Sequence, residues 1–300
     1  MASAPRLLSP ARCLWEAAAT LGEGTCWSAR EQALYWVDIL SGMLHRCDAS
    51  GGQRQSWRFD DTVSAVAERR GRPGLALALR RGLALFDPGS GRLQPLQQPE
   101  PERSANRFND GKCDAAGRFW LGSMDFDCRA PTGALYCYGA DGRAFRAADL
   151  GWAVTNGPAW SLDGRTIYVN DTVEREVRAF PFDPATGRLG EPRTWLRFDT
   201  ADGYPDGMTT DAAGRLWIAH WGGACVTCRD PDTAAELLRV PLPTSHVTNL
   251  AFGGPGLRTL FITSARSGLD AAQLAAQPLA GALFAVDTDA TGLAAHAFAG

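Results

Sequence analysis

The amino-acid sequence predicts an all-β fold, a six-bladed β-propeller with four-stranded antiparallel blades. Three observations predict it. Glycine and proline supply 33 and 18 of the 300 residues, about 17% where about 12% is usual, and that content favours many tight turns over long helices. Six short apolar runs, each centred on an aromatic residue or leucine, recur at roughly 40 to 50 residues, the length a four-stranded blade needs. Six such units also consume the chain with no large remainder, whereas a β-sandwich uses fewer residues per domain.

The runs occupy residues 33–38 around Trp36, 74–79 around Leu77, 117–121 around Trp120, 163–169 around Tyr168, 214–218 around Trp217 and 257–262 around Phe261. Several are introduced by a Gly-Arg or Asp-Gly turn, as at Gly117-Arg118, Asp163-Gly164 and Gly214-Arg215. A second short strand follows at 43–48, 82–87, 134–138 and 177–180, which gives a hairpin rhythm repeated around a ring. Residues 281–287 form a leftover strand that can pair with N-terminal strands, closing the ring and removing an open sheet edge. Residues 269–279 read as a short helix, and 93–107, rich in Gln, Pro and Glu, as a surface loop. One domain over residues 1–300 is the economical count.

Thirty basic against 33 acidic residues leave a net charge of −3. The absence of a basic run argues against a broad phosphate-binding face, so nucleic acid is not an expected partner. Residues 1–21 hold no continuous apolar core and no run approaches membrane length; the expectation is a cytoplasmic protein with no membrane partner. Eight cysteines are too sparse for a disulfide scaffold and are expected as reduced thiols. Cys225 and Cys228 form one C-x-x-C, but no second pair accompanies it, and on a strand the two side chains point to opposite faces.

The informative polar residues lie about a dozen positions before the aromatic strands. Glu23-Gly24 precedes Trp36, Asn109-Asp110-Gly111 precedes Trp120, Asn156-Gly157 precedes Tyr168 and Asp206-Gly207 precedes Trp217. Asx-Gly pairs commonly mark turns. Their shared register, however, places them at the start of the innermost strands, which converge on the central channel of a propeller. Converging carboxylates repel unless a cation neutralises them. Two carboxylates with one or two Asn carbonyls make a hard, oxygen-rich set suited to Ca²⁺, Mg²⁺ or Mn²⁺ and able to hold Zn²⁺ or Fe²⁺. The four histidines, at 45, 220, 246 and 296, show no ligand-like spacing. Lys112 is the only lysine in the chain; pairing with Asp110 or Asp114 accounts for it, and no catalytic role is assigned to it.

These residues belong to an ordered set: Leu21-Gly22-Glu23-Gly24 with Trp27, 35–39, 106–112 with Asp114, 155–161, 205–208, 214–219, 263–266 and 281–284. The set spans roughly 260 residues and resembles the senescence marker protein, gluconolactonase and luciferin-regenerating-enzyme-like family, also called regucalcin-like. The resemblance implies a six-bladed propeller with one divalent ion in the central channel, held by Glu23, Asn156 and Asp206. It implies that Arg107 and Asn109 contact the sugar substrate or the activated water. A further acidic substrate contact falls at Asp125 or Asp127, with the spacing favouring Asp127. Gly24-Thr25-Cys26-Trp27 replaces the family's more usual Gly-Pro-x-Trp, a change that bears on a turn rather than on chemistry.

The activity implied by the resemblance is hydrolysis of a sugar-acid lactone, and the chemistry fits the residues. A divalent ion polarises the lactone carbonyl and lowers the pKa of water. Asp206 is placed to act as general base, and Arg107 and Asn109 to orient ring hydroxyls or stabilise the oxyanion. No Gly-x-Ser-x-Gly elbow is present, so an acyl-enzyme route is disfavoured. Two other classes stay open: a non-catalytic calcium-binding propeller, and a metal-dependent hydrolase of another ester or of phosphotriesters. Gluconolactone, xylonolactone, arabinonolactone and galactonolactone all remain compatible, as do Ca, Zn, Mn, Mg and Fe(II).

Overall fold

The computed structural model describes residues 3–300; residues 1 and 2, part of the 1–300 domain and of the N-terminal segment considered above, lie outside it. Its strands form six four-stranded antiparallel sheets. Blade 6 takes its outermost strand, β1 (Arg12–Trp15), from the N-terminal end of the chain. Blade 1 is β2 (Gly22–Ser28), β3 (Ala33–Asp38), β4 (Met43–Asp48) and β5 (Gln55–Arg58). Blade 2 is β6 (Val63–Glu68), β7 (Leu75–Leu79), β8 (Leu83–Phe86) and β9 (Leu93–Pro95); blade 3 is β10 (Asn106–Cys113), β11 (Phe119–Asp125), β12 (Gly133–Tyr138) and β13 (Ala144–Trp152). Blade 4 is β14 (Thr155–Trp160), β15 (Thr166–Asp171), β16 (Glu176–Pro181) and β17 (Arg193–Arg197). Blade 5 is β18 (Tyr204–Thr210), β19 (Leu216–Trp221), β20 (Cys225–Arg229) and β21 (Glu236–Pro241). Blade 6 is β22 (Val247–Gly253), β23 (Thr259–Ser264) and β24 (Leu283–Asp287), with β1 outermost.

The apolar runs read from the sequence are the second strands of the blades. They are apolar on both faces because each blade is covered by a neighbour on either side. Trp120 and Trp217 occupy equivalent places on β11 and β19, opposite Lys112 and Thr209, while Trp36 lies two residues further along β3; all three are fully buried. A buried indole N–H needs an acceptor, and two blades supply it in the same way. Asp114 accepts from Trp120 Nε1 at 2.8 Å and from Arg118 Nε at 2.6 Å. Asp211 accepts from Trp217 Nε1 at 2.9 Å and from Arg215 Nε at 2.7 Å. The recurring Asp-x-x-Gly-Arg-x-Trp is therefore a latch from the turn to the blade core as well as a turn signal.

Ring closure follows the expected route: β24 takes up β1 antiparallel, with Arg12 opposite Ala285 and Cys13 opposite Phe284. The segment after β24 then crosses to blades 2 and 3, where Phe298 bonds the backbone of Glu68 and Arg70 and is fully buried. Two expectations need correction. Residues 93–107 are not one surface loop, because β9 and the start of β10 lie within them and Glu100 is buried, accepting from Ser123 Oγ and Tyr136 Oη. The helix expected over 269–279 is the shorter α1 (Ala271–Ala276), started by a capping box between Asp270 and Gln273. Among the described residues no helix is long and apolar enough to cross a membrane.

Cys225 and Cys228 are free and buried. Cys228 packs in the core with Trp217 and Val226 while Cys225 accepts from Arg239 Nη1, so the C-x-x-C spans two environments. Burial pushes the two thiols up to about 11 and about 12 respectively.

Candidate functional site

The innermost strand of every blade carries a register break at the same height. It falls between Glu23 and Cys26 on β2, Val63 and Ala65 on β6, and Phe108 and Gly111 on β10. On β14 it lies between Asn156 and Ala159, on β18 between Pro205 and Met208, and on β22 between Val247 and Leu250. A bulge bends its strand and re-aims side chains. Six bulges at one height ring the channel with Glu23, Ser64, Asn109, Asp110, Asn156, Asp206, Thr248 and Asn249, all buried. Gly207 is required for this convergence, since a Cβ there would lie 2.5 Å from Asn249 Nδ2.

Hydrogen bonds fix these side chains. Arg107 Nη1 donates to Asn109 Oδ1 at 2.6 Å, and Asn109 Nδ2 donates to Asn156 Oδ1 at 2.6 Å and to Thr155 O at 2.9 Å. Asn156 Nδ2 donates to Thr172 Oγ1 at 3.0 Å, whose hydroxyl donates to Pro205 O at 2.9 Å, next to Asp206. Both Asn109 and Asn156 thus have their amide orientation set by neighbours. Below them Asn249 Nδ2 donates to Asp110 Oδ2 at 3.1 Å and Asn249 Oδ1 accepts from Thr25 Oγ1 at 2.7 Å. Lys112 Nζ donates to Met208 O.

Three carboxylates in this buried space are electrostatically unfavourable. Burial, then the charge of Asp110, push Glu23 up to about 8. Burial and the charge of Glu23 hold Asp206 well above the ordinary carboxylate range, and burial also raises Asp110. Arg107 and Lys112 are lowered, chiefly by burial. Asp206 Oδ1 and Arg107 Nε are buried without any hydrogen-bond partner, an arrangement that is costly unless a ligand completes it.

Glu23, Asp206 and Arg107 therefore share one electrostatic environment, and Asn109 and Asn156 are in direct contact. Asp127 is exposed on the turn after β11, apart from the buried ring, while Asp125 is buried and accepts from the N–H groups of Arg129 and Ala130 at 2.9 and 3.0 Å. Lys112 faces Asp110 and Glu23 rather than Asp114, which is engaged with Arg118. Sequence reasoning missed Ser64, Thr248 and Asn249, because no glycine follows them to mark the register. A cavity of about 210 Å³ at the opposite end of the channel, lined by Trp27, Lys112, Trp160, Phe252 and His296, contains none of Glu23, Asn156 or Asp206.

The residues fit a divalent cation. Every donor is an oxygen, two of the groups are carboxylates, and Asp206 Oδ1 has no other partner. Among the described residues no three His, Cys, Asp or Glu side chains form a metal-ligating group; the oxygen donors gathered in this space are the carboxylates of Glu23 and Asp206 and the amide oxygen of Asn156.

Comparison with known proteins gives a consistent result. The family model described as the SMP-30/Gluconolactonase/LRE-like region matches residues 21–266. The chain is 37% identical over 283 residues to the L-arabinolactonase of Azospirillum brasilense, covering 94% of this chain and 93% of that protein. It is 36% identical over 291 residues to the 6-deoxy-6-sulfogluconolactonase of Pseudomonas putida, covering 96% and 98%. The crystal structure of a calcium-binding protein, regucalcin, from Agrobacterium tumefaciens superposes with a TM-score of 0.91 at 28% identity, covering 99% of each chain.

Proposed function

Since the chain belongs to the SMP-30/gluconolactonase/LRE-like family and is a lactone hydrolase, we propose that it opens a sugar-acid lactone to the aldonic acid with one divalent ion bound by Glu23, Asn156 and Asp206. We take residues 1–300 as one domain, acting in the cytoplasm. The observation that carries the reading is the buried, unpartnered Oδ1 of Asp206 beside a second carboxylate in the channel. The ion supplies Lewis acidity toward the lactone carbonyl and lowers the pKa of water.

The protein's own groups do the rest. Asp206, at the edge of the ion's site, is placed to accept the proton of the attacking water as general base. Asn109, whose N–H groups are committed to Thr155 and Asn156, keeps a lone pair on Oδ1 for a ring hydroxyl, and its bond to Asn156 Oδ1 fixes that amide so that the oxygen's second lone pair would be available to an ion. Arg107 presents the N–H groups not used on Asn109 and Phe108 to the substrate, where they orient ring hydroxyls. Asp127, on the exposed turn, is a contact for hydroxyls further from the reacting carbon. Attack breaks the ring ester bond, and the released alkoxide takes up a proton to give the hydroxy acid.

The test is proton release on a panel of pentose and hexose 1,4- and 1,5-lactones, after chelation and after restoring Zn²⁺, Mn²⁺, Ca²⁺, Mg²⁺ or Fe²⁺ singly. The expected result is turnover restored by an ion and reduced about 10²- to 10⁴-fold in Asp206→Asn. Ion binding without hydrolysis of any lactone would instead leave the calcium-binding propeller or the hydrolase of another ester.

A further inference from the structure

The loops that follow the second strands surround the mouth of the channel at the end where Glu23, Asn109 and Asp206 lie. Beside blades 2 and 3 two of these loops bring Arg80 and Phe126 next to Arg107. The ring of Phe126, 37% exposed, has the guanidinium carbon of Arg80 5.0 Å from its centroid and that of Arg107 5.9 Å. The two guanidinium carbons are therefore separated by at most the sum of these distances, 10.9 Å. The backbones are tied as well, with Phe108 N donating to Arg80 O at 3.0 Å and Phe126 N to Ala105 O at 3.0 Å.

Neither guanidinium is engaged in a direct ion pair. Among the described residues no carboxylate forms an ion pair with Arg80 or Arg107, although fifteen other arginine–carboxylate contacts are formed elsewhere in the chain. The Nε of Arg80 and that of Arg107 are both buried without a hydrogen-bond partner, and the Arg107 residue is only 4% exposed. Of the nearby carboxylates, Asp125 is committed to the turn N–H groups of Arg129 and Ala130, and Asp127 is exposed on that turn. Two arginines held at one aromatic ring without an acid between them form a fork that an oxyanion satisfies.

We propose that Arg80 and Arg107, set about Phe126, form an oxyanion subsite at the channel mouth that receives the charged end group of an acidic sugar lactone, so that lactones bearing a terminal carboxylate or phosphate are preferred over neutral ones. The inference rests on the lactonase reading and narrows its substrate class. The chemistry at the ring carbonyl is unchanged; the subsite acts on binding and orientation of the remote end, and electrostatic attraction adds to capture at low salt.

The experiment measures kcat/KM on D-glucono-1,4-lactone, its 6-phosphate and D-glucaro-1,4-lactone, at low and at physiological salt, for the ion-loaded wild type and Arg80→Gln. At least one anionic lactone is expected to exceed the neutral one by about 10-fold, with the ratio falling toward unity in Arg80→Gln. The two anionic arms separate a carboxylate from a phosphate subsite. A wild type with no anionic preference, or an Arg80→Gln ratio equal to the wild-type ratio, overturns the subsite while leaving lactone hydrolysis intact. If no lactone is hydrolysed, the lactonase reading fails and calorimetric binding of D-glucarate and D-gluconate decides the subsite. Weaker binding of glucarate alone in Arg80→Gln supports it, and equal binding in both proteins rejects it.

Discussion

Replacing Glu23 by Gln is expected to stabilise the ion-free protein. Glu23 is 3% exposed, and burial together with the charge of Asp110 raises its carboxyl from 4.5 to about 8. A carboxyl raised in the fold contributes its full stability below the unfolded value of 4.5, and that stability is lost as the pH climbs through about 8. Near pH 7 the ionised unfolded state is favoured over the protonated native group by roughly 3 kcal/mol. Glutamine keeps the shape and removes this term. For a chain of 300 residues the relief corresponds to an increase of about 5 °C in Tm. Calorimetric melting in chelator should show Glu23→Gln above the wild type by that amount near pH 7 and level with it near pH 4.5. Adding millimolar divalent ion should reverse the order, because only the wild type retains the carboxylate that binds the ion in the native state. Glu23→Gln melting at or below the wild type in chelator near pH 7, or a gap that does not change with pH, would refute the reasoning.

Two further predictions concern the scaffold. Asp211→Ala removes the acceptor of Arg215 and Trp217 and leaves a guanidinium that is 7% exposed without its partner; the expected loss is roughly 3 to 5 kcal/mol in urea unfolding, and a loss under 1 kcal/mol would contradict the latch. His220 is fully buried, donates Nδ1–H to Asp202 O at 2.9 Å and accepts from Thr227 Oγ1 at 2.8 Å. Burial lowers it from 6.5 to about 4, so its contribution is present above 6.5 and is lost as the pH falls through about 4, amounting to roughly 3 kcal/mol. The stability of His220→Gln should therefore fall less between those pH values, and profiles of equal slope would rule out this imidazole as a source of acid sensitivity.

The blade count and the identity of the inner-strand residues were legible because the second strands repeat a strong apolar signal and four inner strands place an acid or amide before glycine. Asn249 and Ser64 take the same station without that glycine, so their registers were invisible until the bulges placed them. The bulges themselves have no composition of their own. Glu100 lies in a polar stretch that reads as loop, and its burial depends on Ser123 and Tyr136 from the next blade, a contact that local pattern does not encode. The same holds for Phe298, which enters the core only because the C-terminal segment crosses to blades 2 and 3. The latch was half legible, since Asp114 and Asp211 occur in matching motifs but the indole N–H they serve is revealed only by the fold. Lys112 stood out by its rarity, and its partners, Met208 and Asp110, became apparent only with the channel assembled.

The most direct measurement is an anomalous difference map from crystals of the wild type and of Asp206→Asn soaked in Mn²⁺ with a slowly hydrolysed lactone analogue. The structure predicts one strong peak within bonding distance of Glu23, Asn156 and Asp206, with the analogue's carbonyl directed at it and Arg107 on the sugar, and a weakened or absent peak in Asp206→Asn. A peak among other residues, or an analogue bound away from Asp206, would contradict the assignment of this ring as the hydrolytic centre.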